Sequence, residues 1–90
     1  MKVIKIGAVW CPGCLVMRAR WKKIEKENPW LKTEYFDYDA DQEKIAEFEI
    51  KGEKLPVFIF LSKDKKEFLR LHGEPSKKEL VRIILENRDK

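Results

Sequence analysis

Val9-Trp10-Cys11-Pro12-Gly13-Cys14-Leu15 holds the only two cysteines of this 90-residue chain, three positions apart and close to its start. Before them, Val3–Val9 is a short apolar run that reads as a buried strand beginning almost at the N-terminus. After them, Met17, Trp21 and Ile24 recur at spacings of four and three, the stripe of an amphipathic helix. That helix reaches to about Lys26, where Asn28-Pro29 ends it, because proline cannot continue it. The cysteine pair therefore stands where a strand hands over to a helix, with Pro12 at the first helical position, where a missing N–H costs nothing. A helix start presents unpaired N–H groups and the positive end of the dipole, both of which favour a thiolate at Cys11. Cys14 lies one turn on, over Cys11, and can attack a mixed disulfide formed there. On this reading Cys11 is the nucleophile and the more accessible thiol, and Cys14 is the resolving thiol, masked one turn inside.

A C-x-x-C pair can also bind metal or staple a loop. A structural zinc site needs four ligands, and two cysteines with a single histidine, His72, do not supply them within one chain. No metal is therefore expected, although a site shared between two copies stays open. The chain carries 20 Lys and Arg against 16 Asp and Glu, a net charge of +4. Its charges are interleaved, as in Lys22, Lys23, Glu25, Lys26 and Glu27, which dilutes any stripe that could track phosphates. Nucleic acid is not an expected partner. No run approaches the roughly 18 apolar residues of a membrane span, and Lys5 breaks the only N-terminal stretch that could resemble a signal peptide. A cytoplasmic, monomeric protein with no membrane partner is expected, and there a C-x-x-C pair favours redox chemistry over a permanent staple.

Further along, Thr33–Asp39 is aromatic-rich and reads as a second strand. Asp39 or Asp41 can cap a short helix carrying Ile45, Ala46 and Phe48. Lys51–Lys54 is a turn before Leu55-Pro56 and the strand Val57–Leu61, and the Lys63–Lys66 turn leads to a last strand at about Glu67–Leu71. Gly73-Glu74-Pro75 breaks that strand, and Ser76-Lys77-Lys78-Glu79 is a capping box opening a helix whose Leu80, Ile83, Ile84 and Asn87 face inward. The order βαβαββα predicts an α/β fold, a four-stranded mixed sheet flanked by three helices, with a right-handed crossover joining a parallel pair and a closing hairpin. Residues 1–90 read as one domain.

Trp10-Cys11-Pro12-Gly13-Cys14 resembles the Trp-Cys-x-x-Cys motif of the thioredoxin family, with the usual central Gly-Pro reversed. Leu55-Pro56, 45 residues after Cys11, resembles that family's cis-proline loop, and Phe48–Gly52 resembles the stretch entering it. Gly73 matches the glycine that keeps the rim open. The likeness covers the whole chain but lacks the family's first strand and helix, leaving a core of glutaredoxin size. It implies a thioredoxin-like fold, a cis Leu55–Pro56 bond and a protein-disulfide oxidoreductase with no bound cofactor. It places an extended protein-disulfide substrate beside Leu55 and Pro56, Trp10 packed against the dithiol, and electrons drawn from a separate reductase.

Two alternatives accompany this reading. A glutaredoxin-like protein recharged by glutathione fits Pro12, but that family follows its last strand with two glycines and an aspartate, and Gly73-Glu74-Pro75 keeps one glycine. A non-catalytic binding module fits less well, since it has no need of a dithiol. Two positions depart from the thioredoxin pattern. Ala19 replaces the proline that kinks the active-site helix, which implies a straighter one. Lys5 replaces the family's buried acid, six residues before Cys11. A lysine there either snorkels to the sheet edge or stays by the dithiol, where its charge would favour the thiolate and make the couple more oxidising. Trp21 reads as core, Trp30 as loop packing, His72 as exposed and Lys54 as an ordinary loop lysine.

Overall fold

A computed structural model describes the whole chain, Met1–Lys90. Strand β1 (Lys2–Gly7) sends Val3 to one face and Ile4 and Ile6 to the other, so it requires cover on both sides. It lies inside a four-stranded sheet of order β2-β1-β3-β4. Parallel pairing to β2 (Lys32–Asp37) follows from the crossover through α1 (Pro12–Glu27). On its other side β1 pairs antiparallel with β3 (Val57–Leu61), and β3 forms a hairpin with β4 (Glu67–His72). The mixed sheet and three helices are those the sequence pattern predicts.

Two hydrophobic layers form as a result. On one face Met17, Trp21 and Ile24 of α1, with Leu80, Ile83 and Ile84 of α3 (Lys77–Glu86), pack on Val3, Phe58 and Phe60. On the other, Ile45 at the end of the short α2 (Gln42–Ile45) covers Ile4, Ile6, Val57 and Ile59. Every residue from Val57 to Phe60 is buried, as a strand sandwiched between layers demands. Burying each such side chain contributes about 1.5–3 kcal/mol. Trp21 tilts against both Phe58 and Phe60, at centroid distances of 5.5 and 6.5 Å. Trp30 packs at the edge of this layer under the Arg88 guanidinium.

The structure corrects several boundaries. β1 stops at Gly7, not Val9; Val9 is 81% exposed, because the chain turns there and Cys11 N–H donates to Ala8 O at 3.2 Å. β2 stops at Asp37, not Asp39. The Asp37 carboxylate accepts from the N–H groups of Asp39 and Ala40, closing a local turn that competes with the sheet. Neither aspartate caps α2 through its side chain. Asp41 holds the N-cap position, but its carboxylate accepts from Asp37 N–H at 2.8 Å instead. The helix then tightens into a 3-10 turn over Ala46–Phe48. At α3 the Ser76 hydroxyl accepts from Glu79 N–H at 3.1 Å as a cap should, and the half-buried Asn87 closes the helix by donating to Ile83 O. α1 runs uninterrupted through Ala19.

Candidate active site

Cys11 is the N-cap of α1 and Pro12 its first helical residue. The Cys11 sulfur accepts from Cys14 N–H at 3.2 Å, one of the first-turn N–H groups that lack an i−4 partner within the helix. Cys11 and Cys14 are joined as a disulfide, with Cα atoms 5.3 Å apart. Their exposure is the reverse of the sequence expectation. Cys11 is only 6% exposed, tucked under the turn from β1, whereas Cys14 is half-buried and lines a cavity. Exposure alone therefore does not rank the two thiols.

The β3 and β4 ends complete the site. The Leu55–Pro56 peptide bond is cis, and Gly73 N–H donates to Pro56 O at 2.9 Å. Gly73 has φ +85°, a conformation that suits glycine and turns the chain away from the rim. Pro56 Cδ lies 3.5 Å from where a Cβ on Gly13 would stand, so cis-proline and dithiol loop are in contact distance of one another. Leu55 packs instead against the α2-side core. Trp10, expected beside the dithiol, is 54% exposed, meets Tyr38 edge-on and donates from Nε1 to the Asp39 carboxylate at 2.7 Å. His72 and Lys54 are exposed.

Lys5 stays inside. It shares the α1 face of the sheet with Val3 and Gly7, by the strand's two-residue period. Its Nζ lies 2.6 Å from Glu25 Oε2, which also accepts from the Thr33 hydroxyl at 3.1 Å. The pair's side chains are 18% and 31% exposed. They line a cavity of about 340 Å³ together with Cys14, Trp21, Tyr35 and Pro56. At Gly7 the packing is tightest: an added Cβ would stand 3.1 Å from Cys14 Sγ and 3.2 Å from the Tyr35 hydroxyl. Behind Cys14 the protein thus keeps an ammonium, a carboxylate and a phenol. No group of three His, Cys, Asp or Glu side chains converges to hold a metal ion, and no helix is long and apolar enough to cross a membrane.

Sequence reasoning reached Cys11, Pro12, Gly13, Cys14, Pro56, Gly73 and Lys5, and the structure brings these together. It missed Glu25, Tyr35 and Glu74. Two of them carried a signal. Parallel pairing sets Tyr35 directly beside Lys5, and Glu25 follows Trp21 by four residues, on the helix face that meets the sheet. Glu74, adjoining Gly73 in the turn, had no periodic pattern to mark it.

A family profile described as thioredoxin matches residues 1–81. Among solved structures, the chain is similar to thioredoxin from Fasciola hepatica, with 27% identity and a TM-score of 0.84 over 96% of this chain and 79% of that one. It is equally similar to thioredoxin NaTrxh from Nicotiana alata, at 27% identity and TM-score 0.84, covering 96% and 71% respectively. Thioredoxin-2 of the malaria parasite shares the fold at 24% identity and TM-score 0.85, covering 94% and 81%. Curated protein sequences yield no match.

Proposed function

The chain belongs to the thioredoxin family, and from that premise we propose that it is a protein-disulfide oxidoreductase in which Cys11 attacks and Cys14 resolves. The observation that carries this reading is the Cys11–Cys14 disulfide at the start of α1, against the cis Leu55–Pro56 bond.

In the reducing direction the Cys11 thiolate attacks one sulfur of the substrate disulfide. A Cys11–substrate disulfide forms and the first substrate thiolate leaves. Cys14 then loses its proton, attacks Cys11 Sγ and expels the second substrate thiolate. Two electrons have passed from the dithiol to the substrate, whose thiolates take up two protons from water. The helix N-terminus favours the attacking thiolate. Lys5 serves Cys14, which must become an anion on resolution and is released as one whenever the Cys11 sulfur is attacked from outside. The ammonium across the cavity favours that anion in both directions, against the opposing charge of the Glu25 carboxylate paired with it.

A substrate segment lies along Leu55-Pro56, pairing its backbone there, with Trp10, Pro12, Gly13 and Gly73 shaping the rim. Exposed Val9 and Trp10 give that rim an apolar surface suited to a protein partner. The dithiol needs no bound cofactor, and the protein acts in the cytoplasm with a separate reductase as donor. Insulin disulfide reduction tests this, run in parallel with thioredoxin reductase and with glutathione plus its reductase. Turnover sustained by the first donor system supports the reading. Turnover by glutathione alone makes the protein glutaredoxin-like, and none by either leaves a binding module.

A further inference from the structure

The dithiol rim carries charge that the proposed chemistry does not use. Glu74 is exposed, and its Oε2 lies 3.2 Å from the Cβ position of Gly13, the residue preceding Cys14. Pro56 Cδ approaches the same point to 3.5 Å, so the carboxylate and the cis-proline ring both meet the dithiol loop at Gly13. Its backbone is held in place from below. Gly73 N–H is bonded to Pro56 O, and Arg20 Nη1 donates to Glu74 O at 3.4 Å and Pro75 O at 2.7 Å. Arg20 thus binds the main chain and not the carboxylate, and Glu74 belongs to none of the six ion pairs. Asp39, which accepts the Trp10 N–H, adds a second carboxylate to the rim. In a chain of net charge +4, two side chains that meet this loop on the rim, Glu74 at Gly13 and Asp39 at Trp10, are acidic, while the cations Lys5, Arg18 and Lys22 share the cavity behind Cys14.

We propose that Glu74 is a specificity-determining residue, a charge filter that slows disulfides bearing carboxylates and favours those bearing cations beside the reacting sulfur. This rests on the oxidoreductase reading above and names its substrate class: disulfides flanked by lysine or arginine, and not glutathione disulfide. Any substrate sulfur attacked by Cys11 has its neighbouring groups beside Gly13 and Pro56, within several ångströms of this carboxylate. Exposed charges at about 7–8 Å in water interact enough to change a rate two- to threefold per unit charge at low ionic strength. A cavity on the α2 face, where Lys51, Lys54, Arg70 and His72 outnumber Glu49 beside Val57, would impose the opposite preference if it received the substrate.

Three small disulfides of one reaction type separate these outcomes: cystamine (cationic), bis(2-hydroxyethyl) disulfide (neutral) and glutathione disulfide (anionic). Each oxidises the reduced protein by the two displacements already described, yielding two small thiols and the Cys11–Cys14 disulfide. Second-order rate constants are measured by acid quench and mass analysis at low salt and in 0.5 M salt, each referred to the neutral disulfide. Glu74→Gln should lower the cystamine-to-glutathione-disulfide rate ratio about four- to ninefold, Glu74→Lys should lower it further, and Glu74→Asp should keep most of it. Salt should shrink the wild-type ratio toward that of Glu74→Gln. A ratio unchanged by Glu74→Gln, or a wild-type preference for glutathione disulfide, overturns the filter while leaving the oxidoreductase reading intact. Failure of the wild type to react even with the neutral disulfide removes that reading, and the filter with it.

Discussion

The Lys5–Glu25 pair makes the most discriminating test of the site, because its two members act on Cys14 with opposite signs. From the sequence alone, Lys5 is an isolated cation that stabilises the reduced dithiol. The structure places Glu25 2.6 Å from it, in the same cavity as Cys14, so the two charges largely cancel at the sulfur. A cavity of about 340 Å³ is roughly 9 Å across. One unit charge at that range contributes about 2 kcal/mol at an effective dielectric constant near 20, and closer to 1 kcal/mol once the open side of the cavity is allowed for. Glu25→Gln leaves the ammonium uncompensated. The thiolate fraction of the reduced protein should rise, with about a fivefold larger ionisation constant, and the redox potential should move up. Lys5→Met leaves the carboxylate uncompensated, and both changes should reverse. For a two-electron couple 1 kcal/mol corresponds to roughly 20 mV. The double variant removes both charges and should return close to wild type. It should also be more stable than Lys5→Met, which strands a partly buried carboxylate with only the Thr33 hydroxyl. The assay is thiolate absorbance against pH on all four proteins, with redox titrations in parallel. Single variants shifting in the same direction, or a double variant that shifts as far as either, would refute electrostatic control and reduce the pair to a packing element.

Sub-stoichiometric iodoacetamide at pH 7 should label Cys11 of the reduced protein before Cys14 despite its lower exposure, because the N-cap position governs its ionisation; mass mapping that finds Cys14 first reverses the two roles. Gly7→Ala should cost about 1–3 kcal/mol in urea unfolding, since its Cβ meets Cys14 Sγ and the Tyr35 hydroxyl, and adding Tyr35→Phe should recover part of that loss. The bidentate Arg70 guanidinium holds the Glu67 carboxyl below its ordinary range, and the same Arg70 donates to Phe48 O. A carboxyl depressed in the folded state contributes stability above its unfolded value and loses it as pH falls through the folded one. Acid unfolding of Arg70→Met should therefore lack a small stability loss at and below the ordinary carboxylate range that the wild type shows, under about 1 kcal/mol because the pair is one-third exposed.

Most of the fold was legible because its signals are local. The Met17, Trp21, Ile24 stripe, the apolar Val57–Phe60 run and the Ser76 cap each state their element within a few residues, and each stands where it was read. The misplaced boundaries at the end of β2 and the start of α2 involve side chains that can bond to backbone in more than one way. Asp37, Asp39 and Asp41 crowd one turn, and any of them could have ended the strand or capped the helix. Which does so depends on how the chain leaves the sheet, and Asp37 wins by accepting two N–H groups at once. Val9, at the end of β1, is misplaced for a different reason. Its apolarity says strand, but the need to deliver Cys11 to the start of α1 turns the chain at Gly7 and leaves Val9 in solvent beside the dithiol.

The site divides along another line. Motif positions such as Cys11, Cys14, Pro56 and Gly73 could be read because each has a chemical or conformational requirement that few residue types meet. Charges have no such restriction. With 40% of the chain charged, a glutamate on a helix is an unremarked residue until its partner is known. Lys5 was conspicuous as a lysine where the thioredoxin pattern has a buried acid, and that departure named no partner. The parallel register points to Tyr35, yet the ion-pair partner comes from α1, 20 residues on. α1 can reach Lys5 because Met17, Trp21 and Ile24 seat it on the sheet in one orientation, turning Glu25 toward the strand behind Cys14. The charge balance around the resolving thiol is thus a product of core packing. Repacking Trp21, with no charge altered, should disturb it as surely as substituting Glu25.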